Sequence, residues 1–227
     1  MNMAKTEIHK LSLGICNCYL IKADGLILVD AGSPDQGKNF LKQLKQLSIE
    51  PKDISLILLT HGHWDHIGSV NELKRLTGCK VAVNQREKDW VEQAFKPLPP
   101  GIGLRAKLLG VVIKMSMPFV NFPGSSVDLA LEDKELSLES NGIHGKVLYT
   151  PGHSSGSMSL LLDTGDAFVG DLAGGGLPLR IGPGMPIFAE DITILKKSWR
   201  LLLTRGAKRI YPAHGNHFNA DVLQKLL

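Results

Sequence analysis

A chain of 227 residues is long enough to bury a sizeable core without disulfides or structural metal, and one domain is the expected organisation. Its composition, 43% apolar and 21% charged with 24 glycines, excludes disordered and collagen-like classes. The net charge of +4 arises locally, because 93–127 carries Lys96, Arg105, Lys107 and Lys114 and no acid; that is too sparse for a nucleic-acid footprint, and none is expected. No run of about 18 apolar residues appears and the N-terminus lacks the apolar stretch of a secretory signal, so a cytoplasmic protein with no membrane partner is expected. Three cysteines, two of them in Cys16-Asn17-Cys18, make no disulfide framework, and buried reduced thiols are expected.

Cys16–Lys22 and 26–30 read as strands around the hairpin signal Asp24-Gly25. Ser33-Pro34 predicts a helix start, with Phe40, Leu41, Leu44 and Leu47 at helical spacing until Pro51. The run 54–59, apolar but for Ser55, predicts a strand buried on both faces. Ile67, Val70, Leu73 and Leu76 predict a helix ending near Gly78, and 81–83 a short strand. Next come a helix over 85–95, a break at 97–103, an apolar and basic helix over 104–115, and a loop over 117–126. This stretch, 85–127, reads as an insertion over one face. Strands resume at 136–138 and 146–150, then 157–162 and 167–170 joined by Asp163-Thr164-Gly165-Asp166. An irregular loop over 174–186, a helix marked by Ile192, Leu195, Trp199 and Leu202, a strand at 209–211 and a terminal helical turn at 221–227 complete the chain. Strand-rich and helix-bearing stretches thus occur once in each half.

Chemistry concentrates in His61-Gly62-His63-Trp64-Asp65-His66, directly after the apolar run. Imidazole nitrogen and carboxylate oxygen are preferred donors for zinc and similar divalent ions, and six residues cannot wrap four such donors round one tetrahedral ion without strain. Two ions are therefore expected. His153, Asp171 and His214 also follow apolar runs, and strand ends meeting at one sheet edge would bring all seven side chains together. Five histidines and two aspartates, one of them bridging, give four protein contacts per ion, and a shared water-derived ligand would make each about five-coordinate. His9 and His144 lie in polar surroundings and read as exposed side chains; His217 reads as either a support for His214 or plain surface.

These residues resemble the metallo-β-lactamase superfamily. Its H-x-H-x-D-H signature is met by His61, His63, Asp65 and His66, and its later single ligands by His153 in Thr-Pro-Gly-His-Ser, Asp171 in Val-Gly-Asp and His214 in Pro-Ala-His-Gly. The segment Leu28-Val29-Asp30-Ala31-Gly32 is similar to the family's strand-to-loop motif, where the aspartate supports the site without binding metal. The resemblance implies an αββα sandwich, an α/β fold of two mixed sheets with helices outside, and a dinuclear site along one edge. Carried over residue by residue, it implies His61, His63 and His153 on one ion, Asp65, His66 and His214 on the other, and Asp171 between them.

Two divalent cations, zinc first and iron or manganese as alternatives, lower the pKa of a shared water until hydroxide exists at neutral pH, and they polarise the attacked oxygen. A metal-dependent hydrolase of a small ester, lactone or thioester is the expectation, with Asp65 passing a proton to the leaving group. A phosphodiesterase or nuclease of the same fold, an iron-dependent dioxygenase and a non-catalytic metal-binding module are the alternatives. The bridging carboxylate separates the chain from true β-lactamases of the superfamily, and the Trp64 motif looks like that of glyoxalase-II-type thioesterases, although no helical domain follows His214. Segment 104–122, with Met115, Met117, Phe119 and Phe122, reads as packed core, as a subunit interface with a second copy, or as a cap like that of the superfamily's lactonases. The 174–186 loop is a second candidate wall of the substrate pocket.

Overall fold

In a computed structural model, residues 6–177 and 181–227 are described. The first half forms a six-stranded sheet in simple sequence order: β1 Glu7–Leu13, β2 Cys16–Lys22, β3 Leu26–Val29, β4 Leu56–Leu58, β5 Lys80–Asn84 and β6 Leu129–Leu131. Its first three strands run antiparallel and β3 through β6 run parallel. The second half supplies β7 Leu136–Ser137, β8 Gly145–Tyr149, β9 Met158–Leu162 and β10 Asp166–Gly170. A two-stranded hairpin follows, β11 Gly174–Leu177 with β12 Ile181–Gly184. Then β13 Arg209–Pro212 and β14 Phe218–Asn219 complete the second six-stranded sheet, ordered β14-β13-β10-β9-β8-β7. The helices are α1 Gly37–Gln46, α2 Trp64–Ile67, α3 Val70–Thr77, α4 Lys88–Glu92, α5 Gly103–Ser116, α6 Ile192–Thr204 and α7 Asp221–Leu226.

Side-chain alternation along the strands builds the layers. Tyr19, Ile21, Leu56 and Leu58 face Val147, Leu160 and Phe168 in a core between the sheets. The intervening Leu20 and Ile57 turn the other way, onto Phe40 and Leu44 of α1 and Val70 and Leu73 of α3. On the far side, Leu161, Ala167 and Val169 pack on Leu195, Trp199 and Leu202 of α6. Strands covered on both faces explain the unbroken apolar run 56–59; Ser55, just before it, is exposed. The arrangement is the expected αββα sandwich, with one sheet from each half of the chain.

Several boundaries differ from the sequence reading. The helix expected from Ser33-Pro34 starts at Gly37, because the Ser33 hydroxyl accepts Ile15 N at 3.2 Å and the Gly37 amide donates to Glu72. The helix over 67–78 is split in two at Gly68-Ser69, and it ends at Gly78 with φ 73°, as expected. The 85–95 helix shrinks to a 3-10 turn, Gln85–Glu87, followed by α4. Strands β1 and β6, absent from the sequence reading, are edges of their sheet with half or more of their residues in contact with solvent. The 174–186 loop contains the β11–β12 hairpin, and 178–180 lie outside the described residues. Cys16 and Cys18, two apart on a strand, share one face and one core cluster, and all three cysteines are buried and free.

Candidate metal centre

The C-terminal ends of parallel pairs deliver most of the donors. In the first sheet β3 runs into Asp30 and β4 into Thr60-His61; in the second, β10 runs into Asp171 and β13 toward His214. His153 comes from the turn between β8 and β9, and Met158 N donates to Thr60 O at 2.8 Å, tying the two sheets at this edge. Gly170 is required here: its φ is 54°, and a Cβ would collide with the Thr60 hydroxyl.

All seven expected side chains meet. Donor atoms of His61, His63 and His153 lie within 4.8 Å of one another, as do those of Asp65, His66 and His214, and those of His61, His66 and Asp171. Asp171 stands between the two sets: Oδ1 is 3.4 Å from both His66 Nε2 and His214 Nε2, and Oδ2 is 3.7 Å from His153 Nε2. Asp65 Oδ2 is 3.1 Å from His214 Nε2 and 4.0 Å from His66 Nε2. His61 Nε2, His66 Nε2 and Asp171 Oδ1 are buried with no hydrogen-bond partner. Such orphaned atoms cost roughly 1–3 kcal/mol each unless something binds them, and their convergence fits the donor set of a divalent metal.

Second partners aim four of the rings inward. His61 Nδ1 is 3.1 Å from Thr60 Oγ1, His66 Nδ1 donates to Asp30 at 2.9 Å, His153 Nδ1 to Phe188 O at 2.8 Å and His214 Nδ1 to Ile15 O at 3.1 Å. Each therefore turns Nε2 toward the cluster. His63 instead presents Nδ1, 2.9 Å from His153 Nε2, while its ring stacks parallel on Trp90. Asp30 does the supporting work expected of it. Held at φ 62°, it also accepts from Thr60 N at 2.8 Å, so strained backbone and buried carboxylate together lock His66 to the first sheet.

Charge divides the cluster. Burial pushes His61 well down, His63 to about 3 and His153 down, so all three are neutral and open to metal. Burial opposes the charged forms of His66 and His214 too, yet facing carboxylates push both up: Asp30, then Asp171 and Asp65, at His66, and Asp171 then Asp65 at His214. Cys16, 3.8 Å from His66 Nδ1, adds no field there, since burial raises its thiol far above neutrality. Asp65 and Asp171 are in turn held down by His66 and His214 against the effect of burial.

Glu87 escaped the sequence reading. Fully buried, it accepts from Gly62 N at 2.5 Å, Gly156 N at 2.8 Å and Ser154 Oγ at 2.6 Å, and so clamps the His61–His63 loop to the His153 loop. Nothing in Gln85-Arg86-Glu87-Lys88-Asp89 distinguishes it from a solvated face. His217 is exposed and stacks on Tyr211 with no bond to His214, which settles it as surface. His9 and His144 lie away from the cluster and are half-buried, not fully exposed; His144 pairs with Asp24 and Glu139.

A cavity of about 400 Å³ opens over the cluster, within the range of small-molecule sites. His63, Asp65, His153, Asp171 and His214 form its floor. Leu98 and Pro99, with Leu109 and Ile113 of α5, form one wall, and Met185, Ile187 and Phe188 another. The walls are joined, since Ile102 N donates to Ile187 O at 2.8 Å and Ala189 N to Pro100 O at 3.1 Å. Among the described residues, no lysine or arginine lines this space.

Known proteins resemble this chain in sequence or in fold. The probable metallo-hydrolase YflN of Bacillus subtilis is 30% identical over 73% of the chain, and a beta-lactamase-like protein 2 homolog of Drosophila melanogaster 31% identical over 88%. The chain spans 63% and 58% of those relatives' own lengths. Among solved structures, BLEG-1 B3 metallo-beta-lactamase superposes with a TM-score of 0.71 at 22% identity, covering 95% of each chain. TTHA1623, solved in a di-iron-bound form, gives 0.67 at 24% identity, covering 96% of this chain and 97% of its own. Both likenesses are of fold. The family model of the metallo-beta-lactamase superfamily matches residues 11–214, from β1 to the last histidine of the cluster, and the chain belongs to that superfamily.

Proposed function

We propose that this protein is a dinuclear metal-dependent hydrolase of small esters, lactones or thioesters with an apolar acyl portion. The cavity carries this reading: its floor exposes both halves of the donor cluster and its walls are apolar. His61, His63 and His153 would hold one cation and Asp65, His66 and His214 the other, with Asp171 between the two sets and able to serve either. Zinc suits this nitrogen and oxygen set, and iron and manganese share it. When bound, two such cations supply Lewis acidity and an acidified water at neutral pH.

The chain's own residues do the remainder. Asp65 sits at the cavity floor beside His214, where its carboxylate can accept a proton and return it to the leaving group. Segment 97–113 covers the cavity as a cap, and the apolar walls exclude water from the reacting carbonyl. A phosphodiester finds less here. Among the described residues no cation faces the cavity, and the basic residues of α5 lie on its exposed side.

Hydrolysis of a panel of aryl esters, lactones, thioesters and bis-aryl phosphates by metal-loaded protein tests this reading. Esters, lactones or thioesters with aliphatic acyl groups are expected to turn over fastest, and activity confined to the phosphates, or absent throughout, would overturn it.

A further inference from the structure

Helix α5 is apolar on two opposite sides. Ala106, Leu109, Ile113 and the following Met117 turn inward, two of them into the cavity. Leu104, Leu108, Val111, Val112 and Met115 recur at i, i+4, i+7, i+8 and i+11, a single stripe pointing away from the protein, and Phe119 extends it. These are the most exposed large apolar side chains of the described residues apart from Ile15, from 57% at Val111 to 85% at Phe119. Together they expose several hundred Å², at or above the ~300–600 Å² of the largest patch on an ordinary soluble monomer.

Charge tells what would cover this stripe. Lys107 and Lys114, one heptad apart, flank it on one side and Arg105 on the other, and all three are exposed. The ion pairs that lysine and arginine make among the described residues lie elsewhere. Lys96 is spent differently, donating to Met117 O at 3.0 Å and Val120 O at 2.7 Å, which anchors the end of the segment. With no acid anywhere in 93–127, a second copy docked stripe to stripe would bring like charges together with nothing in the segment to answer them. An apolar stripe edged by cations is instead complementary to a surface with an oily interior and anionic headgroups.

We propose that the outer face of α5, continued by Phe119, docks the protein on an anionic phospholipid bilayer, the helix lying in the interface plane. This departs from the sequence expectation of no membrane partner. It requires no spanning segment, and no helix among the described residues is long and apolar enough to cross a membrane. The inner side of the same helix roofs the candidate catalytic cavity, so docking places that cavity next to a source of apolar acyl compounds. The docking itself stands independently of the hydrolase reading, because its test reads binding alone.

The full chain would be sedimented with vesicles of phosphatidylcholine alone and of phosphatidylcholine mixed with phosphatidylserine. Binding to the mixed vesicles and little to the neutral ones is expected. Lys107→Gln with Lys114→Gln should reduce partitioning about 25-fold, each lysine near such a surface being worth roughly a factor of five. A Phe119→Trp variant should show a blue shift of emission beyond that of the wild type, with the anionic vesicles only. No binding to anionic vesicles, equal binding to both kinds, or a variant whose emission shifts no more than the wild type's would overturn the proposal. So would a wild-type chain that sediments as a dimer and becomes monomeric on Leu108→Ser with Val112→Ser, which would give the stripe to a second copy.

Discussion

Replacing Glu87 by glutamine exchanges one carboxylate oxygen for an amide nitrogen in a place where every neighbour is a donor. Oε2 accepts from Gly62 N, and Oε1 accepts from Gly156 N and Ser154 Oγ, all at 2.5–2.8 Å with no solvent contact. In either orientation the new NH2 group faces at least one backbone N–H, which loses its acceptor at a cost of roughly 1–3 kcal/mol. Loss of charge weakens the bonds that survive by about half. A destabilisation of roughly 2–4 kcal/mol follows, which for a chain of this size moves the urea midpoint of metal-free protein down by about 1 M. Gly62 lies between two donors and Gly156 three residues after a third, so freeing the two loops should also lower metal affinity about 10–100-fold, as loss of an outer support typically does. Urea denaturation of the metal-free variant separates the clamp from the contribution of bound metal, and chelator competition reads the affinity. A Glu87→Gln protein with unchanged midpoint and unchanged affinity would refute the clamp.

Asp30→Asn removes the carboxylate that receives His66 Nδ1–H, and a drop of about 10–100-fold in affinity for the metal that His66 would hold is expected in the same chelator assay. Asp65→Asn should cut turnover about 10²–10⁴-fold even when assayed at saturating metal; full turnover with full metal content would dismiss the proton-transfer role. His144 gives a pH signature away from the metal cluster. Asp24 and then Glu139 raise its pKa in the folded state, so its stabilisation is fully present below the unfolded value near ~6.5 and is lost as pH rises through the higher folded value. Metal-free wild type should therefore lose stability relative to His144→Gln across that window, and parallel curves for the two proteins would contradict the pairing.

The convergence of the seven candidate donors was legible in the sequence because they occupy strand ends. Four of the seven sit in one hexapeptide after a doubly buried strand, and His153, Asp171 and His214 each follow an apolar run, so convergence follows from sheet geometry. Glu87 was illegible for the opposite reason: its partners include two backbone amides, which leave no pattern of side chains, and its neighbours in sequence are charged. Strand β1 was missed because an edge strand keeps polar, solvent-facing residues such as Glu7, His9 and Lys10, and β6 because three residues, Leu129 to Leu131, are too short to show any period. In α5 the apolar content was plain, but a helix apolar on both sides carries no signal of which side is covered. The reading of 104–122 as packed core therefore fails for the outer stripe, while Leu109 and Ile113 on the inner side line the cavity.

Under the proposed function, seven donors form two metal sites that act together on an apolar acyl substrate. Titrating metal-free protein with zinc, while measuring bound metal and hydrolysis of an aliphatic aryl ester on the same samples, tests it most directly. Saturation at two ions per chain is predicted, with hydrolysis rising in step with the second. Saturation at one ion, or two bound ions with no hydrolysis of ester, lactone or thioester, would contradict it.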